Sequence, residues 1–109
     1  MIRPLLVLII LLAGLCGQAS AALPEIELEM RDGQLIPDRL EVPARTRVKV
    51  VIRNTGQSAA EFESLRLRLE KVLGPGVTSF VVINPLKPGE YEFFDEFHLP
   101  DAKGVIVVK

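Results

Sequence analysis

The side chains able to carry chemistry are few and fall in two short stretches. His98 is the only imidazole in the chain, and Asp95 stands one helical turn before it. Tyr91, Phe93 and Asp95 share one parity if the segment is a strand, and the first two suit a core face. A carboxylate on that face is expensive unless it has a partner. The competing reading ends the strand at Phe94 and lets Asp95 open a solvated turn. In the second stretch, Glu61 and Glu63 flank Phe62. In a strand they face the same way, so they can offer two oxygens to one hard or borderline cation; the alternative for both is a solvated edge. Glu70 beside Lys71 reads as an exposed polar pair, and Met30, which could offer copper a soft thioether, reads as core.

Other chemistries lack their parts. Ser64 and Ser79 have no nucleophile motif around them, which argues against a Ser-His-Asp hydrolase built on His98. Gly74-Pro75-Gly76 is too short to cradle phosphate and is not followed by a Lys-Ser or Lys-Thr pair. The 13 Lys and Arg against 14 Asp and Glu give no broad basic footprint for nucleic acid. One cysteine, Cys16, excludes an internal disulfide framework and an all-Cys zinc site.

The elements that must position these residues are short strands. Turn signals recur at Asp32-Gly33, Pro37, Pro43, Asn54-Thr55-Gly56, Gly74-Pro75-Gly76, Asn84-Pro85, Pro88-Gly89, Pro100-Asp101 and Gly104. That cadence predicts an all-β sandwich or barrel. Strands are expected over 26–30, 39–42, 47–53, 77–83, 90–94 and 105–109. In the third of these Val48, Val50 and Ile52 alternate with Arg47, Lys49 and Arg53, the pattern of a half-buried strand. The β-branched segments 77–83 and 105–108 are apolar at nearly every position and are expected centrally. Residues 58–72 are ambiguous. Ser58 and Glu61 resemble a helix capping box, and Phe62, Leu65, Leu69 and Val72 recur at helical spacing. Leu65, Leu67 and Leu69 nevertheless alternate with Arg66, Arg68 and Glu70, which favours a strand with a change of phase near Glu63-Ser64.

The N-terminus has the order of a secretory signal: Arg3, an apolar run over 5–15, then Ala19-Ser20-Ala21-Ala22. The run is short of the ~20 residues a membrane-spanning helix needs. Cleavage is expected after Ala21, giving a signal peptide over 1–21, one domain over 22–109 and a periplasmic or secreted location. An uncleaved anchor is the alternative, and lipidation of Cys16 a further one, which the bulky Leu15 before it disfavours. Removal of the signal leaves no thiol.

The closing third, Pro88-Gly89-Glu90-Tyr91-Glu92-Phe93-Phe94-Asp95-Glu96-Phe97-His98 and then Gly104-Val105-Ile106-Val107-Val108, resembles the last hairpin of cupredoxins. The entry Pro37 to Val42, the polar strand end at Asn54, and Glu61-Phe62-Glu63 fit the same order. The chain is most similar to the EfeO-type cupredoxin-like domains of exported proteins linked to ferrous-iron uptake, whose motifs correspond to Glu61-Phe62-Glu63, Glu70 with Pro75-Gly76, and Leu86-Lys87-Pro88-Gly89-Glu90-Tyr91. This resemblance implies a Greek-key β-sandwich of about seven strands. It places Asp95 where electron-transfer cupredoxins carry Cys, His98 at their second His, Ala102 at their Met and Glu61 near their first His. A blue-copper centre needs a thiolate, so none is expected. What the resemblance leaves is a site for an iron or copper ion made of Glu61, Asp95 and His98, with Glu63 weaker. It implies an accessory for iron uptake working with an inner-membrane iron permease or its periplasmic partners, with binding better supported than turnover. The alternative is a metal-free sandwich that kept the scaffold, lost the site and serves as an interaction subunit of a membrane complex.

Overall fold

Alternating apolar and polar positions build nine strands over residues 22–109, the residues described by this computed structural model. They are β1 (Glu25–Arg31), β2 (Gln34–Ile36), β3 (Arg39–Val42), β4 (Val48–Asn54), β5 (Ala60–Ser64), β6 (Leu69–Leu73), β7 (Thr78–Ile83), β8 (Gly89–Asp95) and β9 (Lys103–Val108), with one 3-10 turn at Glu96–His98. The predicted export segment, with Cys16, lies outside the described residues. One sheet has the order β2-β1-β4-β7, the other β3-β9-β8-β5-β6. The sheets face each other as a β-sandwich, as the turn cadence predicts, but with nine strands rather than about seven.

The core lies between the sheets. Val48, Val50 and Ile52 point inward from β4 as their alternation requires, opposite Phe62, Phe93 and Ile106. Phe62 and Phe93 stack with centroids 5.5 Å apart, a contact worth about 1 kcal/mol beyond area burial. Met30 is fully buried and fills core, as expected. Two pairings are parallel, β1 with β4 and β3 with β9; the remainder are antiparallel. At Gly104 a Cβ would lie 2.6 Å from both the Asp38 carbonyl oxygen and the Phe93 ring, so β9 can thread between β3 and β8 only with hydrogen at that position.

Two expectations are corrected and one open alternative is decided. Residues 58–72 form neither one strand nor a helix, but the β5–β6 hairpin, in which Ser64 pairs with Leu69. The change of phase is a chain reversal over 65–68, with Arg68 N–H donating to the Leu65 carbonyl at 3.2 Å and Arg68 in the left-handed region at φ 56°. Segment 77–83 is not central: β7 is a sheet edge. Its Phe80 is 48% exposed, and the ammonium of Lys49 on the paired strand β4 lies 4.5 Å from the ring centre on the outer sheet face. Asp95 does not begin a solvated turn. It ends β8 at 1% exposure.

Candidate metal centre

Asp95 faces inward because Phe62 is its partner across the β5–β8 pairing and both keep the parity of Tyr91 and Phe93. Its burial is made tolerable by three donors. Oδ1 accepts from Glu61 N–H and Phe97 N–H, each at 3.0 Å, and Oδ2 accepts from His98 Nδ1–H at 2.7 Å. The Phe97 bond caps the 3-10 turn, and that turn brings His98 back onto the carboxylate. Across the ring, Ser58 Oγ lies 3.1 Å from Nε2 and donates to Asp32 Oδ1 at 2.8 Å. Gln57 and Ser58 N–H also donate to Asp32 Oδ1, and these bonds, the Ser58 hydroxyl first, hold the Asp32 carboxyl below its usual range. Gly33, at φ 91°, packs against the imidazole, where a Cβ would meet the His98 side chain at 3.3 Å.

One hydroxyl proton cannot serve two acceptors. With that of Ser58 on Asp32, its oxygen accepts from Nε2–H; with Nε2 bare, as a metal requires, Ser58 must turn or move aside. The line Asp95, His98, Ser58 has the outline of an acyl-transfer triad. The neighbouring Gln57 and Ser58 main-chain N–H groups, which could otherwise serve an oxyanion, already bond Asp32.

Glu61 and Glu63 leave β5 on the opposite face, because Phe62 between them points inward. The structure therefore brings Glu61 to Asp95 through its main chain, while its carboxylate joins Glu63 and Glu70. Oxygens of these three side chains lie within 4.8 Å of one another; Glu63 stands directly across from Glu70 in the register. Lost hydration, then repulsion from Glu70 and Glu63, raises the Glu61 carboxyl above the ordinary carboxylate range. Lost hydration and Glu70 raise Glu63 likewise. Groups raised on folding contribute stability when protonated and lose it as pH climbs from about 4.3 through their folded values. Metal-free protein is therefore expected to melt at a lower temperature at pH 7 than at pH 5. Glu61→Gln with Glu63→Gln should flatten that slope, as thermal scans across pH will show. A cation on the cluster should reverse it.

Sequence reasoning paired Asp95 with His98 and missed Ser58, Asp32 and Asn54. Asn54 is buried; its Nδ2 donates to the Ser58 and Leu73 carbonyls, and its Oδ1 accepts from Gly56 N–H. It thereby shapes the loop that delivers Ser58. The capping-box pattern at Ser58 was a signal of a side chain seeking a backbone or polar partner, but the partners are distant in sequence. Ala102 is buried, and its carbonyl accepts from Asp95 N–H at 3.0 Å.

A two-sheet sandwich whose closing hairpin ends in a carboxylate and an imidazole defines the class of protein. The sequence matches the cupredoxin-like domain family over residues 4–108, and the chain belongs to that family. An uncharacterized protein of Rickettsia prowazekii is 37% identical over 84 residues, covering 77% of this chain and 67% of that protein. The metal-binding domain, with Cu(I), of the Cu(I)-exporting P-type ATPase of Streptococcus pneumoniae has a TM-score of 0.72 at 13% identity, over 84% of this chain and 91% of that one. Auracyanin A, a blue copper protein of Chloroflexus aurantiacus, has a TM-score of 0.69 at 15% identity, over 81% and 100%. At such identities the likeness is one of fold. A blue-copper centre does not fit this donor set, since no cysteine occurs among the described residues. A hard or borderline cation does fit the carboxylates of Glu61, Glu63 and Glu70, a group that does not include the imidazole of His98.

Proposed function

We propose that this protein is an exported, periplasmic metal-binding accessory that holds iron, or copper that takes an electron from ferrous iron, and passes iron to a membrane permease. The observation that carries this reading is the convergence of Glu61, Glu63 and Glu70. Three carboxylates within 4.8 Å, with no side-chain ion pair to any of them among the described residues, repel one another, and a cation relieves the repulsion. Oxygen donors favour the harder ferric ion over the ferrous one. Asp95 and His98, on the other face from that cluster, would offer copper a separate imidazole donor. The resemblance to EfeO-type domains and membership of a family with copper-binding structural relatives support the same reading.

The test is calorimetric titration of the mature protein with Cu(II) and, without oxygen, Fe(II). Glu61→Gln and Glu63→Gln should weaken Fe(II) binding by about tenfold or more, since loss of even a ligand's outer-shell partner costs about that much. His98→Ala should act mainly on Cu(II). The copper-loaded protein should show no intense sulfur-to-copper absorption in the visible; a strong blue band would mean that Cys16 is retained and ligates. A second reading, the metal-free interaction subunit, draws on the satisfied state of the closing hairpin. Every buried side-chain nitrogen and oxygen among the described residues has a hydrogen-bond partner, and both nitrogens of His98 face one. Absence of metal binding by the wild type would select that reading.

A further inference from the structure

The two sheets end in four edge strands, β2 and β7 on one and β3 and β6 on the other. An open edge is a template for another strand, and proteins blunt it with shortness, proline or charge. Three of these edges are blunted. Strand β2 has only the three residues Gln34–Ile36 and runs into Pro37. Strand β3 carries Arg39 and Glu41, both exposed, and ends before Pro43. Strand β6 carries Glu70 and, on the inward parity of Leu69 and Leu73, Lys71. Strand β7 reads Thr78-Ser79-Phe80-Val81-Val82-Ile83, with no charge, proline or glycine. It has the composition of an interior strand and the position of an edge.

The ladder shows which of its main-chain groups are open. Lys49 N–H donates to the Pro24 carbonyl, on the β1 side, and Asn54 N–H to the Val77 carbonyl, on the β7 side. By alternation Val48, Val50 and Ile52 bond Ile83, Val81 and Ser79. Thr78, Phe80 and Val82 therefore turn their N–H and C=O groups outward, where no strand pairs with them among the described residues. The nearest strand beyond, β6, belongs to the other sheet and pairs only with β5. A second β7, antiparallel and related by a two-fold axis at Phe80, satisfies every one of these groups. Phe80 then faces its own mate, and Thr78 faces Val82 of the second copy.

The side chains agree with that register. Val51 stands opposite Phe80 in the β4–β7 pairing, so the axis makes one apolar row of Val51, Phe80 and their two mates. Phe80 is 48% exposed even with Lys49 beside its ring, and its mate would cover it. Within the joined sheet no charge opposes its like: Lys49 and Arg53, opposite Val82 and Thr78, stand a strand back from the seam. A foreign peptide would use the same main chain. The aromatic residue at the centre of the outward set is what a self-matching pair needs.

We propose that β7 is a dimerisation strand, through which two copies of this chain join their four-stranded sheets into one continuous sheet. This does not depend on metal binding, because β7 carries none of the proposed ligands.

The experiment is sedimentation equilibrium of the mature protein from micromolar to millimolar concentration. EDTA is present, so that no metal bridges the copies and a failure leaves the metal reading untouched. A reversible monomer–dimer equilibrium is expected. Amide hydrogen exchange at Phe80 and Val82 should slow as concentration rises, while Ser79, Val81 and Ile83 are already bonded to β4. Phe80→Glu sets like charges opposite each other across the axis and should weaken association by about tenfold or more. Phe80→Lys should do the same, and an equimolar mixture of the two variants should recover it, since opposite charges then face each other. Val82→Pro removes an outward N–H and spares the bonds to β4, a substitution an edge strand tolerates, and it too should weaken association. The proposal is overturned by a monomer at every concentration, by exchange protection on another edge, or by assemblies that grow beyond the dimer. Charged variants that associate like the wild type, or a mixture that recovers nothing, overturn it equally.

Discussion

Asp95→Ala is expected to destabilise the fold by on the order of 3 kcal/mol, because it strips one acceptor from three donors at once. Glu61 N–H and Phe97 N–H lose their partner, His98 Nδ1 loses its carboxylate, and the 3-10 turn loses its cap. A small domain has only about 5–15 kcal/mol in total. The urea midpoint, followed by far-ultraviolet circular dichroism, should therefore drop by about 2 M. Asp95→Asn is the informative contrast. Its amide oxygen can still accept from both main-chain N–H groups, and its NH2 can donate to a bare Nδ1, so it should cost only about 1 kcal/mol. A midpoint for Asp95→Ala close to that of the wild type would mean that the buried carboxylate does not organise this end of the sandwich.

Gly104→Ala should be at least as damaging, for a steric reason. The new Cβ would stand 2.6 Å from the Asp38 carbonyl and 2.6 Å from the Phe93 ring. Asp38 O accepts from Val105 N–H at 2.9 Å, so the main chain cannot retreat without opening the β3–β9 pairing. Overpacking of this kind costs about 1–3 kcal/mol and more where backbone must move; 3 kcal/mol or above is the expected loss, and Gly104→Val should not fold. Gly74→Ala is the control, since its Cβ would meet only Val77, at 3.8 Å, and its stability should stay close to that of the wild type. Equal urea midpoints for the two alanine variants would show that β9 does not pass as closely as described.

The strand alternations were legible because burial on one face writes itself into a period of two. Val48, Val50 and Ile52 point where their spacing says, and Asp95 was conspicuous because it kept the parity of Tyr91 and Phe93. What stayed hidden depended on neighbours in space. Nothing in the β-branched density of β7 says that it lies at an edge, since propensity reports fitness for a pleated surface and not the number of flanking strands. The reversal over 65–68 contains no Gly, Pro or Asn, and Arg68 adopts a left-handed conformation that sequence reasoning gives to those residues. At the candidate centre, Asp95 and His98 are local to one another and were found together. Ser58 reaches His98 from 40 residues away and Asp32 from across 26, so no spacing rule could join them. The split of Glu61 between a main-chain bond on one side of the sheet and a carboxylate on the other follows from the β5–β8 register, which only the folded chain defines.

The parallel pairing of β9 with β3 has a consequence for the order of assembly. Strand β9 is the final strand and an interior member of its sheet, lying between β3 and β8. Until residues 103–108 have left the ribosome, β3 has no partner and its inner residues Leu40 and Val42 have no sheet to complete. Closing a contact between strands so far apart in sequence is slow, because the loop entropy must be overcome before the pairing is gained. Docking of β9 is thus the step on which β3 and β8 both wait, because it alone joins the edge strand β3 to the rest of its sheet.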